Sequence, residues 1–410
     1  MTEKVSLRRS LSLPLITFYG LGTIIGAGIY VLVGKVAGEA GHFTPLAFIV
    51  AAILAAFTAF SYAELVSRYP RSAGEAVYIL QAFRRPWLAK LVGLLIIVIG
   101  LVSTATLANG FVGYLDRFIV LPDFLAISIL IIGLGALAAW GINQSVGFAA
   151  LLTVVEIAGL VIVCWAARDS VALIPANIDM LWPGMDVLAW QGVLLGAFIA
   201  FYAFVGFEDM VNVAEEVKDA SKTLPQAIML ALVITTVLYL VVAMTANIGL
   251  PRELLVTSEA PLADLYAQAS GDRAVLISLI GLLSVMNGIL VQIIMATRVL
   301  YGMSAQGWLH DWFARVHIST RTPLNATAFI VITVLALALW LPLVTLAKLT
   351  SFITMTVFTL ISLSLWRVKI REPVFDGFKV PLWLPVVGVF ASTSFLLYQV
   401  FNVIQQWMAG

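Results

Sequence analysis

The sequence predicts an all-α polytopic membrane protein with about eleven transmembrane helices, a five-plus-five inverted repeat whose first and sixth helices are discontinuous. Three observations predict it. Of 410 residues, 62% are hydrophobic and 11% charged, where soluble domains carry about 25% charged residues. Several apolar runs exceed the ~20 residues a spanning helix needs. Two of those runs, five spans apart, are interrupted near mid-depth. A β-barrel is excluded, because barrel strands alternate in short segments of about 10 residues. The formal net charge of +1 gives no sign of a nucleic-acid partner. The one cysteine, Cys164, lies in an apolar run, which rules out an internal disulfide or a cysteine metal cluster. The N-terminus runs straight into the first span without a small-residue cleavage site, so it reads as retained.

The spans are about Leu13–Val36, Phe43–Val66, Trp87–Tyr114, Pro122–Trp140, Val146–Ala167, Trp190–Val213, Pro225–Leu250, Arg273–Leu300, Leu324–Leu341, Leu343–Trp366 and Pro381–Trp407. Residues 1–12 form a cytoplasmic N-terminus, 13–167 the first repeat and 168–189 an outer connection. Residues 190–366 form the second repeat, and 367–410 an inner connection with the eleventh span. With the N-terminus cytoplasmic, 17 of the 23 Lys and Arg residues fall on the inside, as the positive-inside rule requires. This places the multi-pass chain in the cell membrane with its C-terminus outside. Trp87, Trp140, Trp165, Trp182, Trp190, Trp340, Trp366 and Trp407 fall near span ends, where an aromatic belt sits.

The first span carries Gly20, Gly22, Gly26 and Gly28 at its centre. Each glycine in a helix costs roughly 1 kcal/mol against alanine, so this helix is built to break. Small residues also allow close helix packing, and the glycines alone do not choose between the two. The second to fifth spans are apolar runs between basic or silent connections, and the fifth carries an acid, Glu156. The sixth reads Tyr202-Ala203-Phe204-Val205-Gly206-Phe207, then Glu208 and Asp209. Paired interruptions in corresponding positions of two halves are the mark of an inverted-repeat transporter.

The chemistry follows from helix ends. The second half of a broken helix presents free N–H groups and a partial positive charge, which bind a carboxylate. The first half ends in free carbonyls, which bind an ammonium. An amino acid carries both groups on one carbon. The carboxylate is assigned to the amides of Gly26, Ala27, Gly28 and Ile29, flanked by Thr23 and Ile25. The amine is assigned to carbonyls of Tyr202, Ala203 and Val205, beside Phe204, with Phe207 closing over the substrate. Phe201, Phe204 and Phe207 at helical spacing also suit plain packing.

Ionisable groups at membrane depth are functional candidates. Glu156 is the candidate coupling residue, carrying a proton or ligating a sodium ion beside the first break; a glutamate permanently hydrogen-bonded between helices is the structural alternative. Glu208 and Asp209 either select a cationic group or satisfy the dipole of a half-helix. Glu215 and Glu216 are expected at the inner end, paired with Lys218, Arg71 or Arg84 to hold a gate. In the eighth span Ser278, Ser284, Asn287 and Gln292 are polar; Ser284 and Asn287 share a helix face and either line the pathway or bond neighbouring helices. Asn109, Thr23 and Thr104 are weaker candidates of the same kind.

At these residues the sequence resembles the amino acid–polyamine–organocation (APC) superfamily. Gly22-Thr23-Ile24-Ile25-Gly26-Ala27-Gly28-Ile29 resembles its first-span motif. Tyr62-Ala63-Glu64-Leu65, Gly74-Glu75, Ala214-Glu215-Glu216-Val217-Lys218, Thr223-Leu224-Pro225, Tyr301-Gly302-Met303, Arg321-Thr322-Pro323 and Leu349-Thr350-Ser351-Phe352 follow in the family's order. The resemblance implies a ten-helix, LeuT-like core that moves amino acids by alternating access, with substrate at the two breaks. Family members usually have a twelfth span, which lies outside the core. Some proton-coupled relatives carry a lysine in the fifth span, near where sodium sits in sodium-coupled ones; Glu156 stands in that neighbourhood here.

The resulting expectation is a secondary active amino acid permease, proton-coupled, with amino acid or polyamine exchange as the alternative and a non-transporting sensor as a third reading. No cofactor, metal or catalytic residue is implied. His42, His310 and His317 fall in connections, and neither HExxH nor Gly-x-Ser-x-Gly occurs, which argues against an enzyme. Its partners are then the amino acid, the coupling ion and the bilayer; oligomeric state is not readable.

Overall fold

The computed structural model describes residues 7–115, 118–258, 260–271, 274–340 and 343–409. Each expected span is helical over most of its described residues. In chain order the helices are α1 (Leu13–Ala40), α2 (Thr44–Arg68), α3 (Gly74–Phe83), α4 (Pro86–Leu115), α5 (Asp123–Trp140), α6 (Ile142–Ala166), α7 (Arg168–Ala172), α8 (Val187–Tyr202), α9 (Asp209–Asn212), α10 (Ala220–Gly249), α11 (Arg252–Thr257), α12 (Pro261–Ser270), α13 (Val275–Ala305), α14 (Leu324–Trp340), α15 (Leu343–Arg371) and α16 (Trp383–Ala409). Among the described residues, 8 helical stretches are long and apolar enough to span, and three shorter apolar helices complete the eleven.

Local chemistry sets several boundaries. α1 and α2 each carry proline in the first turn, where its missing N–H has no helical partner anyway. Asp186 caps α8, its side chain accepting from the Leu188 and Ala189 amides at 2.9 and 3.2 Å. The seventh span was expected from Pro225, but α10 begins at Ala220 with Pro225 inside it. The proline removes the N–H that would bond the Ser221 carbonyl; the Ser67 hydroxyl donates to that carbonyl instead, at 2.7 Å. The sixth span is not continuous: residues 203–208 leave the helical path between α8 and α9.

α1, α2, α8 and α10 pack together as one bundle, and α4, α5, α13 and α14 as a second group. α6 lies against α1 and α13, α15 against α4 and α2, and α16 against α15 and α2. Corresponding members of the two five-span sets touch: α1 and α8, α2 and α10, α4 and α13, α5 and α14. A twofold relation between two inverted sets produces this pairing.

The N-terminal segment is strapped to the chain after α9. Ser10 and Leu11 donate to the Glu216 carbonyl at 2.9 and 3.0 Å, and Lys218 donates back to the Leu11 carbonyl at 2.9 Å.

Candidate functional site

The two breaks meet inside the first bundle. In α1 the helical path is interrupted at Gly26, with φ 20° and ψ −148°. In the sixth span, α8 tightens into three-residue turns: Ala203 bonds back to Ala200 and Phe204 to Phe201, both at 3.0 Å, and Val205 to Tyr202 at 3.3 Å. Gly206 then takes φ 135°, a conformation for glycine alone, and sits so close to α1 that a Cβ would stand 2.8 Å from the Thr23 carbonyl carbon. A Cβ on Gly28 would stand 3.3 Å from the Ala203 Cα. The glycines therefore serve both a break and a close approach.

The expected carboxylate cradle, Gly26 to Ile29, opens the second half of α1; Ile25 and Ile29 are buried, and the Ala27 side chain lies outside the described ones. Thr23 bonds locally, to the Tyr19 carbonyl at 2.8 Å. On the amine side, the Tyr202 carbonyl is taken by Val205. The Ala203 carbonyl lies 3.0 Å from the Tyr239 hydroxyl, which donates to the Ile24 carbonyl at 2.7 Å. This phenol of α10 thus stands between the carbonyl ends of both half-helices, where an ammonium was expected. Sequence reasoning missed Tyr239; its signal was a lone polar-tipped ring in an aliphatic span.

Phe207 is buried in an aromatic layer, 5.7 Å from Tyr62 and 5.5 Å from Phe358 between ring centroids. Phe201 joins it through Phe358 at 6.1 Å. Phe204 turns the other way, onto Tyr239 at 5.1 Å. Tyr202 stays outside the layer, 43% exposed.

Glu156 is buried where α1, α6 and α13 meet. Its Oε1 accepts from Asn287 Nδ2 at 2.9 Å, and the same amide donates to Thr153 Oγ1 at 3.1 Å. The Thr153 hydroxyl lies 3.1 Å from the Phe18 carbonyl of α1. Tyr30, beyond the break, donates to the Glu156 carbonyl at 2.8 Å. Ser284 is buried one turn before Asn287. No ion pair among the described residues involves Glu156.

Glu208 Oε2 accepts from the Gly206 amide at 2.7 Å. Asp209 accepts from Gln292 of α13 at 2.9 Å. Glu75 of α3, a helix too short to span, accepts from Asn212 at 3.3 Å; burial pushes its carboxyl up to about 8. Glu216 corrects an expectation. It pairs with Arg298 of α13, at 2.9 and 3.0 Å, with both side chains fully buried, and not with Lys218, Arg71 or Arg84. Helix packing brings the distant Arg298 to it, whereas Lys218 points to solvent. Glu215 accepts from the Ser72 amide at 3.3 Å. Asn109 bonds the Ala338 carbonyl at 3.2 Å, and Thr104 the Gly100 carbonyl at 2.6 Å; both roles are structural.

Comparison with known proteins agrees with this geometry. A family model described as amino acid permease matches residues 11–408. The branched-chain amino acid permease BcaP of Bacillus subtilis (strain 168) is 29% identical over 400 residues, covering 92% of this chain and 84% of that protein. Cationic amino acid transporter 4 of Homo sapiens is 29% identical over 392 residues, 89% of this chain; the chain spans 60% of that longer protein. In fold the chain is similar to MhsT, solved in complex with L-phenylalanine, with a TM-score of 0.64 and 16% identity over 96% of this chain and 99% of that one.

Proposed function

The chain belongs to the amino acid permease family and is a transporter, and we propose that it couples amino acid uptake to protons through Glu156. The observation that carries this reading is the hydrogen-bonded line from Glu156 through Asn287 and Thr153 to the Phe18 carbonyl. An unpaired carboxylate in the interior is costly, so Glu156 holds a proton or a cation. Gaining or losing it changes what Asn287 donates to, and so how α1 is held against α6 and α13.

The substrate lies between the breaks, its carboxylate at the Gly26–Ile29 amides. Its amine takes the half-helix carbonyls at which Tyr239 stands, and Phe207 closes the site. The repeats, 13–167 and 190–366, rock about this point, with the N-terminus cytoplasmic and the C-terminus outside.

Purified protein in liposomes tests this with a panel of amino acids under imposed pH, sodium or counter-substrate gradients. An inward proton gradient should drive uptake, and Glu156→Gln should abolish that drive while counterflow persists. Unchanged pH dependence in the variant overturns the role of Glu156. Uptake accelerated by internal substrate alone makes the protein an exchanger.

A further inference from the structure

A groove of about 450 Å³ opens in the second group of helices, away from the breaks. α4 contributes Phe111 and Leu115 to it, α5 contributes Ile129, Gly133 and Leu137, and every lining residue is apolar. It reaches Phe148 of α6 and Met286 of α13, the two helices that meet at Glu156.

Two observations bear on its occupant. The first is Gly133. Gly135, two residues on, is explained by packing, since a Cβ there would stand 2.4 Å from Val331 of α14. Around Gly133 nothing of the chain lies within 4 Å of where a Cβ would be. A glycine in a helix costs roughly 1 kcal/mol against alanine, and no protein contact requires this one. The second is the connection between α4 and α5. Phe118, Ile119 and Val120 are exposed beside Leu121, which lines the groove. Contiguous exposed apolar surface marks a membrane or protein contact.

Size decides between a lipid chain and a helix of another protein. From Ala126 to Leu137 the groove follows α5 for about 16 Å, which gives it a mean cross-section of about 27 Å². A helix 10 Å across needs roughly 80 Å², whereas a single polymethylene chain is narrow enough to enter. We propose that the groove seats one acyl chain of a membrane phospholipid, entering beside the α4–α5 connection, and that this chain props α13 at Met286. The next residue, Asn287, donates to Glu156, and Phe148 lies on the helix that carries Glu156. A seated chain therefore steadies both helices there, whether Glu156 carries a proton or only a hydrogen bond.

Photo-crosslinking of the purified full chain in liposomes tests this. The probe is phosphatidylglycerol with a diazirine in one palmitoyl chain, and adducts are mapped by peptide mass spectrometry. Adducts at Leu115, Ile129 and Met286 should exceed those at Phe390, exposed on α16, at least about fivefold. That comparison needs no variant. Gly133→Phe, or the milder Gly133→Leu, fills the groove and should lower its adducts about fivefold while leaving Phe390 unchanged. Amide exchange in α13 around Met286 should be severalfold faster in bilayers of methyl-branched diphytanoyl chains, too wide for the groove, than in straight-chain ones. Adducts no stronger than at Phe390 show ordinary bilayer contact and overturn the seat, as do groove adducts that neither variant lowers. Disulfide-linked dimers of Gly133→Cys in a Cys164→Ser background overturn it in favour of a second copy of the chain. Equal exchange in the two bilayers overturns the prop at Met286.

Discussion

Tyr239 shows how much one side chain decides. Its hydroxyl serves carbonyls from α1 and from the end of α8, groups freed because both helices break. Without it, buried acceptors lose their donor, at about 1–3 kcal/mol for each group left unsatisfied. Tyr239→Phe keeps the ring against Phe204 and Phe48 and removes only the hydroxyl. The variant should melt several degrees lower and lose most counterflow activity. Melting and counterflow both equal to the native protein would show that the phenol holds nothing together. Gly22 makes the same point by absence: a Cβ there would collide with Thr153 Oγ1 and Asn287 Nδ2, the atoms that connect α1 to Glu156.

At the scale of elements, a buried ion pair and the N-terminal strap tie down one end of the bundle. Glu216 and Arg298 are both fully buried, and the N-terminal strap bonds to the Glu216 carbonyl. A buried pair is weak evidence for net stability, but breaking it by removing one partner costs about 3–5 kcal/mol. Glu216→Gln should therefore favour the form in which this end is open. With Cys164 replaced by serine, a cysteine at Ile16, buried here, should be alkylated at least several-fold faster in that variant. Equal labelling rates would place the gate elsewhere. Glu64 anchors the same face differently, accepting from Arg68 at 2.7 Å and Lys369 at 2.8 Å. That pairing fastens α15 to α2.

For the molecule as a whole, the pairing of corresponding helices and the uneven charge of its two sides belong to one design. Eleven spans with basic connections on one side predict that the two termini lie on opposite faces. In the Cys164→Ser background, a cysteine at Ser6 should react with an impermeant reagent only after cells are opened, and one at Gly410 without opening them. The reverse pattern, or both termini on one side, would refute that orientation.

Much of this was legible in the chain itself. Hydropathy determined the spans, because a bilayer leaves a helix as the one way to satisfy so many backbone groups. Glycine determined the breaks, because backbone conformations such as that of Gly206 exclude side chains. Charge supplied the expected orientation. The partners were decided only by tertiary structure. Arg298 lies 82 residues from Glu216, Asn287 lies 131 from Glu156, and Glu75 lies 137 from Asn212. A hydropathy pattern places each of these on a helix and leaves its rotation open. Packing fixes the rotation, and only then does a polar residue acquire a partner.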